Sequence, residues 1–280
     1  SDESDSESEA ILDAYDIAMG HVATQNFSLL PIPDWVPTPA NRRYARAIDT
    51  LDRALASSVD RRMAGQATGG LLDHLLALHR KEPETFDLTQ IRDQSLTLLL
   101  GGYESTATAL CWTLLLLSQH GSIRDEVRQE IRRVDPDNTL HHSQAPSLKL
   151  TGRVFSEAIR LYPPPWLIPR TAVRADTLPS GHFVRPKAQI FLSPYRTQRD
   201  ERFFERPLEF DPGRFDDRAR GTHPRGSYFP FGLGPRQCVG ESIGRRQAAL
   251  VLATILRHHD INLPPGQFPC PDPLLTLRPS

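Results

Sequence analysis

At 280 residues, with 39% hydrophobic and 24% charged side chains, the chain has a globular composition and room for one large domain or two ordinary ones. Its formal net charge of -1 gives no general attraction for nucleic acid, and its three cysteines, Cys111, Cys238 and Cys270, make no disulfide framework, which fits a reducing, cytoplasmic setting. The opening SDESDSESEA is acidic where a secretory signal would be basic. The apolar tract over residues 96–117 is broken by Glu104 and several hydroxyls, so it reads as a buried helix and not a membrane segment.

Residues 1–10 are polar and expected to fray. Ile11, Tyr15 and Ala18 then recur at helical spacing, and the proline-rich string LLPIPDWVPTPANRR forms a connection that cannot be helical throughout. An amphipathic stretch follows with Tyr44, Ala47, Ile48, Leu51 and Leu55 on one stripe, then a short helix ended at Pro83. A long helix is expected from Asp87 to about His120, capped by Asp87 or Thr89 and stopped at Gly121. The next helix turns Ile123, Val127 and Ile131 inward, and LTGRVFSEAIRLY makes another, halted by Pro163, Pro164 and Pro165. Residues 166–200 carry short β-like runs with turn signals, DPGRFDD opens an irregular loop to Tyr228, and ESIGRRQAALVLATILRHH is a final helix before a proline-rich tail. The pattern is mainly α with a small β portion.

Three strings carry candidate chemistry. In FGLGPRQCVG a single thiol, Cys238, stands just before a helix with Arg236 two residues ahead, a setting that favours the thiolate. Gly234 and Gly240 let backbone turn sharply and approach a flat ligand, and Phe231 can shield the sulfur. A packed thiol in a turn and a thiolate held towards a metal both fit these residues. In SEAIR, Glu157 and Arg160 lie three apart on a helix face, a pairing that is weak when solvated. In LLLGGYESTATAL two adjacent glycines, Gly101 and Gly102, cost about 1 kcal/mol each relative to alanine. Ser105, Thr106 and Thr108 can bond back to the preceding turn; a helix-packing groove explains the string equally well.

Together, in this order, the strings resemble the cytochrome P450 family of haem-thiolate monooxygenases. The resemblance implies that family's fold, mainly α with small β-sheets, as a single haem domain over residues 1–280. It also implies that the sequence begins among the family's central helices and lacks roughly its N-terminal third, and self-association would cover surface left open. Cys238 becomes the thiolate ligand of haem b iron, with Phe231, Gly234 and Gly240 shaping its loop. Arg236 and Arg170 are implied partners of the haem propionates. Gly101 and Gly102 would widen a groove for O2, and Glu104 and Ser105 would relay protons, serine standing where the family has threonine. Glu157, Arg160 and Arg214 form a structural network, and Trp166, Leu167 and Ile168 flank the substrate cavity.

The implied reaction inserts one atom of O2 into an apolar organic substrate. Its electrons come from a separate protein of ferredoxin or flavin-reductase type, which Lys149, Arg153, Arg225, Arg245 and Arg246 could steer. The alternative is a non-catalytic remnant of the fold with weak or no haem binding. A thiol enzyme using Cys238 as nucleophile lacks a histidine placed by sequence to activate it.

Overall fold

Apolar residues recurring every three or four positions give this chain its helices, and the prolines and glycines between them set where each helix stops. The computed structural model describes residues 2–28, 30–66, 69–217, 223–264 and 266–280. Two compact units are formed, Ser1–Gly101 and Gly102–Ser280.

The first unit holds α1 (Asp2–Phe27), α2 (Pro39–Met63), α3 (Leu71–Lys81) and the beginning of α4 (Leu88–Gln119). Ala14 and Ala18 of α1 pack against Ala47 and Leu51 of α2, with Ile11, Tyr44 and Ile48 around them. The expected stripes are therefore the buried ones. Residues 2–10, expected to fray, instead form the first turns of α1, which begins at Asp2. Asn41 pins the proline-rich connection by donating from Nδ2 to the carbonyls of Pro33 and Val36, both at 2.8 Å. At the start of α4, Asp87 Oδ1 accepts from Gln90 N–H at 2.8 Å while Gln90 Oε1 accepts from Asp87 N–H at 3.0 Å, a reciprocal cap.

The second unit packs the rest of α4 with α5 (Gly121–Val134), α6 (Lys149–Leu161) and α8 (Glu241–His258). Leu117, Val127, Val154, Ala158, Leu252 and Ala253, all fully buried, meet at its centre. Gly121 is the first residue of α5 and not a stop; the chain bends at His120, whose ring nitrogen reaches the Leu116 carbonyl at 2.7 Å. The amino end of α6 is satisfied from α5. Buried Glu130 accepts from Leu150 N–H at 2.6 Å and from Thr151 N–H at 2.8 Å, an anion at the positive end of the helix dipole.

Strands β1 (Ile168–Thr171) and β4 (Gln189–Leu192) pair antiparallel, as do β2 (Asp176–Thr177) and β3 (Phe183–Val184). A single short helical turn, α7 (Pro194–Thr197), follows β4. The proline-rich tail, which gives no strand signal in the sequence, closes into a hairpin of β5 (Pro271–Pro273) and β6 (Leu277–Pro279). Trp112 of α4 donates its indole N–H to the Leu277 carbonyl at 2.6 Å, and Leu277 N–H donates to Pro164 at 3.0 Å. The hairpin thereby ties the long helix to the proline turn after α6. No helix among the described residues is long and apolar enough to cross a membrane.

Candidate functional site

The loop Phe231–Gly240 is built around backbone that only glycine adopts easily. Gly232 and Gly234 have φ of 74° and 75°, in the left-handed region, and Cys238 N–H donates across the loop to the Phe231 carbonyl at 2.9 Å. Gly240 has an ordinary φ of -85°, so no turn demands glycine there, although a Cβ would lie 3.8 Å from Cys238 Sγ. The outcome is an exposed Cys238, three residues before α8.

A cavity of about 340 Å³ opens on this loop, with Cys238, Phe231 and Arg236 on its wall. Facing contributions come from α4, through Ser105, Thr106 and Ala109, and from α6, through Phe155 and Ile159. The volume falls in the range of small-molecule and cofactor sites. Arg170, exposed on β1, also reaches the cavity, and among the described residues its guanidinium donates to the neighbouring Pro169 carbonyl at 2.8 Å. Among the described residues neither Arg170 nor Arg236 has a carboxylate partner, which leaves two cations at one mouth.

Several expected residues stand elsewhere. Of Trp166, Leu167 and Ile168, only Ile168 lines the cavity. Trp166 is turned onto the C-terminal hairpin, donating its indole N–H to Leu274 at 2.8 Å, and the apolar wall is supplied by Pro164 and Pro165 instead. Gly101 and Gly102 are exposed on an unbroken helix, where a Cβ at either would meet no atom within 4 Å. Glu104 and Ser105, paired in the sequence reading, face different ways because neighbours on a helix diverge by about 100°. Ser105 lines the cavity, whereas buried Glu104 is held by the Thr276 hydroxyl and by Arg278, whose Nε and Nη2 each lie 3.0 Å from it. Thr106, also at the cavity wall, is a hydroxyl that the motif reading left without a role.

Under the site lies a fully buried ion pair. Arg160 donates from Nε and Nη2 to the two oxygens of Glu157 at 2.6 and 2.9 Å. Its Nη1 and Nη2 groups also reach the carbonyls of Gln198, Pro207 and Glu209 at 2.6, 2.8 and 3.2 Å, so one guanidinium gathers two separate stretches of chain. Arg214 Nε stands 3.4 Å from Glu157, and Asp211 N–H donates to it at 3.0 Å. Burial pushes the Glu157 carboxyl up from its ordinary value, and Arg160, Asp211 and Arg214 pull it back.

Two of the five basic residues grouped above as a steering surface are engaged inward. Arg153 is paired with Asp216, and Arg245 donates to Glu241 and to Ser156 while its guanidinium covers the Phe231 ring. An arginine one turn into a helix gives no sequence signal of such a contact.

The profile of the family described as Cytochrome P450 matches residues 1–279. The chain belongs to the cytochrome P450 family. Cyclooctatin synthase of Streptomyces melanosporofaciens is 36% identical over 245 residues, covering 86% of this chain and 53% of that protein. Pentalenene oxygenase of Streptomyces avermitilis is 31% identical over 243 residues, covering 86% and 54%. The crystal structure of the cytochrome P450DA heme domain superposes with a TM-score of 0.85 at 27% identity, covering 96% of this chain and 59% of that one. The chain thus spans about half the length of the curated relatives it matches.

Cytochrome P450 proteins bind haem b and use O2 for monooxygenation. The residues present fit that group: a thiol and two guanidinium groups with no carboxylate partner among the described residues share one apolar-walled cavity, which suits a flat apolar ring carrying one metal and two carboxylates.

Proposed function

We propose that this chain is the haem-binding part of a cytochrome P450 monooxygenase, with residues 1–280 belonging to one haem domain and Cys238 as the axial ligand. The observation that carries the reading is the shared cavity of Cys238, Ser105 and Thr106, which sets a thiol opposite the hydroxyls of a long helix. Arg170 and Arg236 would hold the propionates, and Phe231 would limit the access of water to the sulfur. When bound, thiolate-ligated haem supplies the activation of O2 and the transfer of one oxygen atom to the substrate.

The chain's own residues do the rest. Ser105 and Thr106 place hydroxyl groups on the cavity wall, where they would donate hydrogen bonds to a small polar molecule held there. Glu104 faces away from this wall, held by Thr276 and Arg278, and would take part in proton delivery only through intervening water. Ile159, Ile168, Pro164 and Pro165 give that wall an apolar character suited to a hydrocarbon-like substrate. The names pentalenene oxygenase and cyclooctat-9-en-7-ol 5-monooxygenase, carried by two relatives, agree with an apolar organic substrate. Electrons would come from a separate ferredoxin- or flavin-type protein, in the cytoplasm.

Haem titration tests the reading. The chain should take up one haem, and Cys238→Ala should abolish the thiolate spectrum while leaving the helical content intact. A chain that stays folded yet takes up no haem would instead be the non-catalytic remnant.

A further inference from the structure

The loop that presents Cys238 is tied to α8 at both of its ends. Gln237, the residue before the cysteine, donates from Nε2 to Glu241 Oε2 at 2.9 Å, and the other oxygen of that carboxylate accepts from Arg245 Nε at 2.9 Å. The Arg245 guanidinium then lies 4.8 Å from the centre of the Phe231 ring. Phe231 closes the circuit, since its carbonyl accepts the Cys238 N–H at 2.9 Å. A fifth contact, Arg245 Nη1 to Ser156 Oγ at 2.9 Å, fixes the cation to α6 beside Glu157. One cation and one anion are therefore held in a closed chain of contacts that begins and ends beside the cysteine. Their side chains are 32% and 29% exposed, so water screens them only in part.

We propose that Arg245 and Glu241 are positioning residues that set the one-electron reduction potential of the haem at Cys238, with opposite signs, an inference that rests on the haem-thiolate reading above. With haem held by Cys238, one-electron reduction by an electrode mediator would add one negative charge at this site. The cation of Arg245 favours that gain and the anion of Glu241 opposes it. The guanidinium also fixes the Phe231 ring by a cation–π contact, which holds the carbonyl that binds the Cys238 N–H.

Spectroelectrochemical titration of the haem-loaded chain, mediated by small redox dyes, reads both signs. Arg245→Gln is expected to lower the equilibrium constant for one-electron reduction about tenfold, a fall of about 59 mV. Arg245→Lys should restore most of that loss, and Glu241→Gln should raise the constant severalfold. Equal potentials in all four proteins, or shifts of the same sign in Arg245→Gln and Glu241→Gln, would overturn the proposal, since loosening of the loop moves both alike. Should Arg245→Gln not retain haem, Glu241→Gln decides alone, and a potential that does not rise overturns it. The haem-thiolate reading fails separately, by the absence of a thiolate carbon monoxide band in the unaltered protein.

Discussion

Arg160 is the residue whose loss tests the packing beneath the site most severely. Arg160→Met keeps much of the side-chain length and removes the guanidinium. Among the described residues this leaves the fully buried Glu157 carboxylate with Arg214 at 3.4 Å and the Asp211 N–H at 3.0 Å, and strips donors from the carbonyls of Gln198, Pro207 and Glu209. Removing one partner of such a pair costs about 3–5 kcal/mol. At about 2–4 °C per kcal/mol for a chain of this size class, thermal unfolding followed by far-ultraviolet circular dichroism should fall by roughly 6–20 °C. The paired change Arg160→Met with Glu157→Met removes both charges, and should recover a large part of the loss because no lone buried charge remains. A single variant less than about 1 kcal/mol below the unaltered protein, or a double variant as unstable as the single one, would refute the reasoning.

Other outcomes follow from particular contacts. Gly234→Ala forces a Cβ onto a φ of 75° and should cost about 1–2 kcal/mol, with weaker haem retention on gel filtration; an unchanged unfolding temperature would contradict this. Arg278→Leu removes the charged partner of buried Glu104 and should lower stability by about 1–3 kcal/mol, an effect that Glu104→Gln should largely cancel in the double variant. Tyr228 donates its hydroxyl to the Ser156 carbonyl at 3.1 Å, and burial holds its phenol above the ordinary value. Above about pH 10 the unfolded chain releases this proton while the fold keeps it, so stability falls as pH rises through that window. Tyr228→Phe should therefore flatten the loss of stability above pH 10, and an equally steep alkaline profile would count against the burial argument.

How much of this was legible in the sequence depended on whether the signal was local. The Glu157–Arg160 pair and the cysteine loop are strings of fixed spacing, so both could be placed by residue number before any fold was known. The stripe of Ala47 and Leu51 was equally plain, because burial on a helix repeats with the turn. The hairpin β5–β6 left no trace, since Pro271, Pro273 and Pro279 argue against a strand; it forms because Trp112 and Pro164 supply partners from far along the chain. Glu104 shows the same limit. Its motif position suggested a carboxylate at the oxygen site, and only the tertiary structure brings Thr276 and Arg278 to it. Trp166 shows it too: the family resemblance set it beside the substrate cavity, and nothing local announces that its indole N–H donates to the Leu274 carbonyl of the distant hairpin.

The central claim is that Cys238 holds haem as a thiolate ligand, and the reduced carbon monoxide spectrum tests it most directly. The dithionite-reduced, haem-loaded chain under carbon monoxide should show the red-shifted Soret band of thiolate ligation, and Cys238→Ser should lose it. An unshifted band in the unaltered protein, or the absence of any haem band, would contradict the account.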